Sequence, residues 1–109
     1  MTDCIFCKIA AGQIPAKKAY EDDDIVAFHD IAPKAPVHLL LIPKKHIASL
    51  FDASADDQAL LGKLLLLAPK LAKEHGLDAG FVTRVHTGEA GGQEVYHLHV
   101  HVLGQPAAA

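Results

Sequence analysis

Tyr96-His97-Leu98-His99-Val100-His101-Val102-Leu103-Gly104, near the C-terminus, decides how this chain is read. It holds three of the eight histidines at i, i+2, i+4 spacing, with an apolar residue in each gap. A period of two is the side-chain period of a β-strand, so the stretch predicts a strand with His97, His99 and His101 on one face. Tyr96, Leu98, Val100 and Val102 fall on the other face and are expected to pack into a core. Successive same-face residues stand roughly 6.5 Å apart along a strand, near enough for three imidazoles to share a metal, hold one phosphate or tune each other's protonation. Desolvating three imidazoles for packing alone is unfavourable, so the pattern points to chemistry.

The totals narrow the options. At 109 residues, half of them hydrophobic and 21% charged, the chain is expected to be a single globular domain over residues 1–109. A net charge of −3, with Lys17-Lys18 and Lys44-Lys45 the only basic pairs, argues against a nucleic-acid partner. No apolar run reaches the roughly 18 residues of a membrane span. The start, Met1 to Phe6, lacks the basic and apolar regions of a signal peptide, and two cysteines make no disulfide framework. A cytoplasmic address is the expectation.

Outward from the triad, the rest of the chain reads as a mixed α and β pattern. Cys4-Ile-Phe-Cys7 runs into a short helix ended by Gly12. No strand precedes Cys4, so its CxxC does not sit as a thioredoxin-like redox pair would. Half of a tetrahedral zinc site suits the spacing better, with two further ligands to be found among the histidines. Strands are predicted within Ala16 to Glu21, at Ile25 to Phe28, at Val37 to Ile42 and at Gly80 to His86. The third is an unbroken apolar run apart from His38, so it is expected to be buried on both faces. In the fourth, Phe81, Thr83 and Val85 share one face, and Val82, Arg84 and His86 the other.

A capping pattern at Ser54 and Asp57 opens the one long helix, about 20 residues ending at His75-Gly76, with Pro69 expected to kink it. The glycine-rich loop Thr87 to Gln93 lacks the lysine and spacing of a P-loop. It nonetheless delivers the chain into the triad, where its backbone N–H groups are candidates to cradle an anion. Residues 105–109 form a short tail expected to fray.

Neutral imidazole is a good nucleophile towards phosphorus, provided one ring nitrogen is pinned and the other free. The triad beside a glycine-rich loop meets that requirement. The rival use, three histidines on one transition metal, usually adds a carboxylate, and no acid follows His101.

The motifs taken together resemble one family. His97-Leu-His99-Val-His101-Val is similar to the His-x-His-x-His-x signature of the histidine triad, or HIT, superfamily. Cys4-Ile-Phe-Cys7-Lys-Ile, Ile14-Pro15, Tyr20-Glu-Asp, Ala27-Phe-His-Asp30, Pro36-Val-His38, Ile42-Pro-Lys-Lys-His46 and Gly92-Gln-Glu-Val-Tyr-His97 extend the resemblance, towards the Hint branch, over nearly the whole chain. The resemblance implies an α+β fold with a five-stranded antiparallel sheet, one long helix and a short N-terminal helix, the sheet doubled to ten strands in a homodimer. It implies binding of purine nucleoside monophosphates and hydrolysis of nucleoside phosphoramidates, with no cofactor needed for the reaction.

On the matching positions, His99 would attack the α-phosphorus, His97 and His101 would hold oxygens or orient the site, and His38 would hydrogen-bond in the same cluster. Phe28, Asp30 and Ile31 would grip base and ribose. Ile5, Phe6, Ile9, Ile25 and Leu40 would line the base pocket, and His86, Gly92 and Glu94 would stand near the phosphate. Members with this CxxC imply a structural zinc on Cys4, Cys7, His46 and His97.

Two positions depart from the family pattern. His86 stands where many members have Asn, and Glu94 where many have Ser. An acid at 94 would repel an anionic phosphate unless turned outward or protonated. Three readings therefore stand: a hydrolase working through a nucleotidyl-His99 intermediate, a nucleotide-binding interaction protein with vestigial catalysis, and a metal-binding module centred on the triad.

Overall fold

The central strand of the sheet has two faces that meet different partners, and the remaining elements arrange themselves around it. This strand, β3 (Val37–Pro43), is buried from His38 onward on both faces, as its apolar run predicted. The structure, a computed structural model, describes residues 4–106. The start of the chain and the expected fraying of the tail's last three residues lie outside them. Chain order within the described residues is α1 (Ile5–Ala10), β1 (Lys18–Glu21), β2 (Ile25–His29), β3, α2 (Gln58–Glu74), β4 (Val82–Arg84) and β5 (Val100–Gly104). The strands form one sheet in the order β1-β2-β3-β5-β4, antiparallel throughout.

Parity sorts the side chains. Ile25 and Ala27 of β2, Leu39 and Leu41 of β3, and Val100 and Val102 of β5 point to one face. There they pack against Leu64, Leu67, Ala68, Leu71 and Ala72 of α2. Val26, Phe28, Leu40 and Ile42 point the other way and pack against Phe6 and Ile9 of α1. The short α1 covers only part of that second face, and the histidines fill the remainder.

Both helices end as the glycines predicted. Gly12 (φ 77°) and Gly76 (φ 84°) take the left-handed conformation that an L side chain resists. Beyond α1, Gly12 N–H donates to the Ile9 carbonyl and Gln13 N–H to that of Lys8. Beyond α2, Gly76 N–H donates to Lys73 and Leu77 N–H to Ala72, the same paired closure. The Ser54 and Asp57 capping box is present, but it closes a 3-10 turn, so α2 proper begins at Gln58 and runs 17 residues. Pro69 lies inside α2, which continues to Glu74.

Two strand expectations need correction. The triad strand was expected from Tyr96, yet β5 begins only at Val100. The register pairs Leu41 with Val100, so its continuation would set Leu98 opposite Pro43. Proline has no N–H for that rung. Leu98 N–H instead donates to the Ile47 carbonyl in the loop after β3. Tyr96, released from the sheet, is 47% exposed and is not a core residue. Similarly, the strand expected from Gly80 to His86 contracts to Val82–Arg84, which pairs with Leu103 to His101 of β5. The face assignment survives the contraction: Phe81 and Val85 pack on the α2 side, and Arg84 and His86 line a cavity on the other.

Candidate active site and metal centre

The three triad histidines have different hydrogen-bond partners. His97 is fully buried, and its Nε2 lies 2.7 Å from the Pro43 carbonyl. A carbonyl only accepts, so His97 Nε2 carries the proton and Nδ1 keeps its lone pair. That lone pair faces Cys4 Sγ at 3.3 Å, Cys7 Sγ at 3.4 Å and His46 Nδ1 at 3.2 Å. Cys4 N-caps α1 and accepts from the Cys7 N–H, which sets both sulfurs on one side of the helix start. His46 Nδ1 is 3.1 Å from Cys7 Sγ.

These four ligand atoms lie within 4.8 Å of one another. Tetrahedral zinc, with bonds of about 2.3 Å to sulfur and 2.0 Å to nitrogen, separates its ligand atoms by roughly 3.3–3.8 Å. Separations of 3.1–3.4 Å, near the low end of that range, and the two-Cys, two-His donor set suit such an ion. The Nε2–Pro43 bond supplies the outer support that fixes a ligating imidazole.

His99 is oriented the opposite way. Its Nδ1 lies 2.8 Å from the His97 carbonyl, so Nδ1 carries the proton and Nε2 is free. Phe6 stands edge-on to the ring at 5.2 Å between centroids. Burial holds the His99 pKa below the ordinary histidine value, against the raising effect of the His97 carbonyl. At neutral pH its free Nε2 therefore presents a lone pair.

His101 ends a relay that begins on the backbone. Lys34 N–H donates to His38 Nδ1 at 3.0 Å, so His38 carries its proton on Nε2, which lies 2.9 Å from His101 Nδ1. His101 thus accepts at Nδ1 and offers Nε2–H to the site. Asp30 Oδ2 stands 3.5 Å from His38 Nε2. Burial, with the neighbouring His99, His38 and His86 adding to it, pushes His101 down to about 4. Burial also lowers His38 despite Asp30.

The linkage follows from these two directions. Between pH 6.5 and about 4 the unfolded chain binds protons that the folded His38 and His101 refuse, so stability rises with pH across that window. It is complete above 6.5 and is lost as pH falls towards 4. Thermal melting from about pH 7.5 to 4.5 should show a steady drop in Tm, shallower in a His101→Gln variant. A pH-independent Tm would contradict this arrangement.

Two cavities meet at the histidines. An apolar one of about 560 Å³ is walled by α1, the Ile14–Lys17 segment, Phe28 and Leu40. A polar one of about 300 Å³ is lined by Lys34, His38, Arg84, His86, Gly92 and Leu103. Asp30, Glu94, His99 and His101 line both, so one ligand can run from the first into the second. Ile5, Phe6, Ile9, Phe28, Asp30, Ile31 and Leu40 all line the apolar cavity, Ile31 from a fully exposed rim. His86 and Gly92 line the polar one, and Glu94 is exposed at the junction.

Two expectations fail, and so does the rival reading of the triad as one metal site. Ile25 is fully buried, but on the α2 face, because its odd position on β2 turns it away from the cavity. The glycine loop makes no free anion cradle from the amides of Gly91, Gly92 and Gln93, which donate to carbonyls of Gly88 and Glu89. Gln93 pins that loop further, accepting from Gly88 N–H and donating to the Ala48 and Val95 carbonyls. Finally, the triad does not gather on one metal. His97 belongs to the cysteine cluster, whereas His101 groups with Asp30 and His38. Sequence reasoning missed Lys34 and Arg84 as site residues. Arg84 had a usable signal, standing two residues from His86 on the same strand face.

Comparisons extend the likeness. The family described as scavenger mRNA decapping enzyme C-term binding matches residues 3–109. Protein HitA of Neisseria gonorrhoeae is 57% identical over 106 residues, 97% of this chain and 99% of that protein. A HIT-like protein of Synechococcus elongatus is 56% identical over 102 residues, 94% and 90% of the two chains. The crystal structure of a HIT family hydrolase from Legionella pneumophila superposes with a TM-score of 0.93 at 51% identity, covering 96% of this chain and 95% of that one. A histidine triad protein from Clostridium difficile gives 0.92 at 46% identity over 100% and 96%. Both likenesses cover nearly the whole of each chain, the three histidines included. The chain belongs to the histidine triad (HIT) superfamily and has its α+β fold.

Proposed function

We propose that the protein is a purine nucleotide-binding hydrolase that cleaves nucleoside phosphoramidates through a nucleotidyl-His99 intermediate. The observation that carries this reading is the free Nε2 of His99 at the junction of the two cavities, its tautomer fixed by the His97 carbonyl. A base would lie in the apolar cavity between Phe6, Ile9, Phe28 and Leu40, with Asp30 accepting from the ribose hydroxyls. The phosphate would then meet His99 and the Nε2–H of His101.

In the first step His99 Nε2 attacks phosphorus and the P–N bond breaks. The amine leaves with that electron pair and takes one proton from solvent. In the second, water attacks phosphorus, the His99–phosphorus bond breaks, and the water's proton is released as the nucleoside monophosphate departs. Apart from the substrate, one water and a solvent proton, every group these steps use belongs to the chain itself. The hydrolase description of the Legionella relative supports the general class.

Around this chemistry we place one HIT domain over residues 1–109, a structural zinc on Cys4, Cys7, His46 and His97, and a homodimer. No helix among the described residues is long and apolar enough to cross a membrane. The dimer reading is supported by β4 at the sheet edge, with exposed Val82, and by exposed Leu65 and Leu66 on α2.

Glu94 favours a second reading, a nucleotide-binding interaction protein with vestigial catalysis, because its carboxylate stands where the phosphate would arrive. One assay separates the two. Release of AMP from adenosine 5′-phosphoramidate by the unsubstituted chain, with Glu94→Ser lowering KM severalfold, is the expected result. An inert parent chain that gains sharply on Glu94→Ser would favour the vestigial reading. Inertness in both would remove the hydrolase.

A further inference from the structure

The polar cavity has a charge pattern that the nucleotide does not explain. Arg84 pairs in register with His101 across β4 and β5, on the same face as His86. Lys34 is fixed on the opposite wall by its own backbone N–H, held at 3.0 Å by His38 Nδ1. Both side chains line the polar cavity and neither lines the apolar one. Among the described residues neither has a carboxylate within ion-pair distance, in contrast to Lys18, Lys44, Lys45 and Lys63, which all do. The cavity's own acids, Asp30 and Glu94, are shared with the nucleotide side and lie at the junction.

We infer that Lys34 and Arg84 form a leaving-group site, and that the amine it receives carries a free carboxylate. This rests on the reading of His99 as nucleophile. If the base fills the apolar cavity and phosphorus sits at His99, the other substituent on phosphorus must enter the polar cavity. At about 300 Å³ that space must hold the phosphate too, which leaves room for a small substituent rather than a second nucleoside. An N-linked amino acid meets both conditions, because its carboxylate lies a few bonds from the scissile nitrogen. A guanidinium recognises a carboxylate through two parallel N–H donors, and an ammonium adds a point charge. Both cations are exposed, so their effect on binding is a preference rather than an absolute requirement.

The test compares two adenosine 5′-phosphoramidates, one N-linked to glycine and one to glycinamide, which differ only in the carboxylate. The full chain is expected to favour the glycine compound in kcat/KM by about tenfold, the size set by one charge-assisted hydrogen bond. In Arg84→Gln and in Lys34→Gln that ratio should fall, and in the double variant it should approach one. Because the ratio divides out any loss common to both compounds, a general effect on folding or catalysis does not mimic the result. A ratio near one in the parent chain, or one unchanged in the double variant, overturns the inference. If neither compound turns over, the hydrolase reading fails separately. Calorimetric binding of the two uncleaved compounds then decides the leaving-group site, equal affinities overturning it.

Discussion

His99→Ala should lower AMP release from adenosine 5′-phosphoramidate by at least about a thousandfold, close to 4 kcal/mol in the barrier, while AMP still binds. The expectation rests on how the site divides its labour. In the proposed complex, base contacts would come from Phe6, Ile9, Phe28 and Leu40, and oxygen contacts from His101, none of which needs the His99 side chain in place. Only His99 combines an Nδ1–H tied to a carbonyl with an Nε2 open to both cavities. His101 cannot substitute, since its Nδ1 is taken by His38 and its Nε2 carries the proton. Loss of the ring also removes the edge contact to Phe6, so His99→Gln serves as a fuller-volume control. Turnover of either variant within tenfold of the parent would sink the covalent mechanism.

The second large effect concerns the cysteines. Replacing Cys4 and Cys7 together with Ala should abolish bound zinc and lower stability by about 4 kcal/mol when free zinc stands a thousandfold above its dissociation constant. The cluster joins three distant parts of the chain: α1, the loop after β3, and the stretch entering β5. A cross-link of that reach limits the unfolded chain more than a local contact does. Chelation of the parent protein should reproduce the loss of Tm, and the double variant should be indifferent to chelator. Metal that persists in the double variant, or a parent chain whose Tm ignores the chelator, would remove the ion from the description.

Much of this was legible in the residues alone. The triad's alternation, the apolar run at β3, the glycine helix ends and the CxxC each impose a local geometry that few other structures satisfy. Cys4, Cys7, His46 and His97 converge as the resemblance implied. What sequence could not show is pairing. The shortened triad strand depends on Pro43 standing opposite Leu98, a fact of register. Ile25 was assigned to the wrong face because one residue's slip on a strand reverses its direction, and β2 offers apolar residues on both sides. The anion cradle failed because the loop's own turns occupy the amides of Gly91, Gly92 and Gln93, and the Gln93 side chain takes the Gly88 N–H. Arg84 and Lys34 come from separate elements, and only the fold brings them to one cavity.

The two-sided burial of β3 has a consequence for how this protein can change. Leu39 and Leu41 answer to α2, whereas His38 and Leu40 answer to the cavities, although all four are consecutive. Val100 and Val102 stand in the same relation to His101 on β5. Along these strands, adjacent positions are under unrelated demands and alternate positions under a common one. A library randomising each position in turn would show a signal of period two, with abundance lost at one parity and ligand preference altered at the other. New specificity is therefore reachable on these strands without touching the packing that keeps the chain folded.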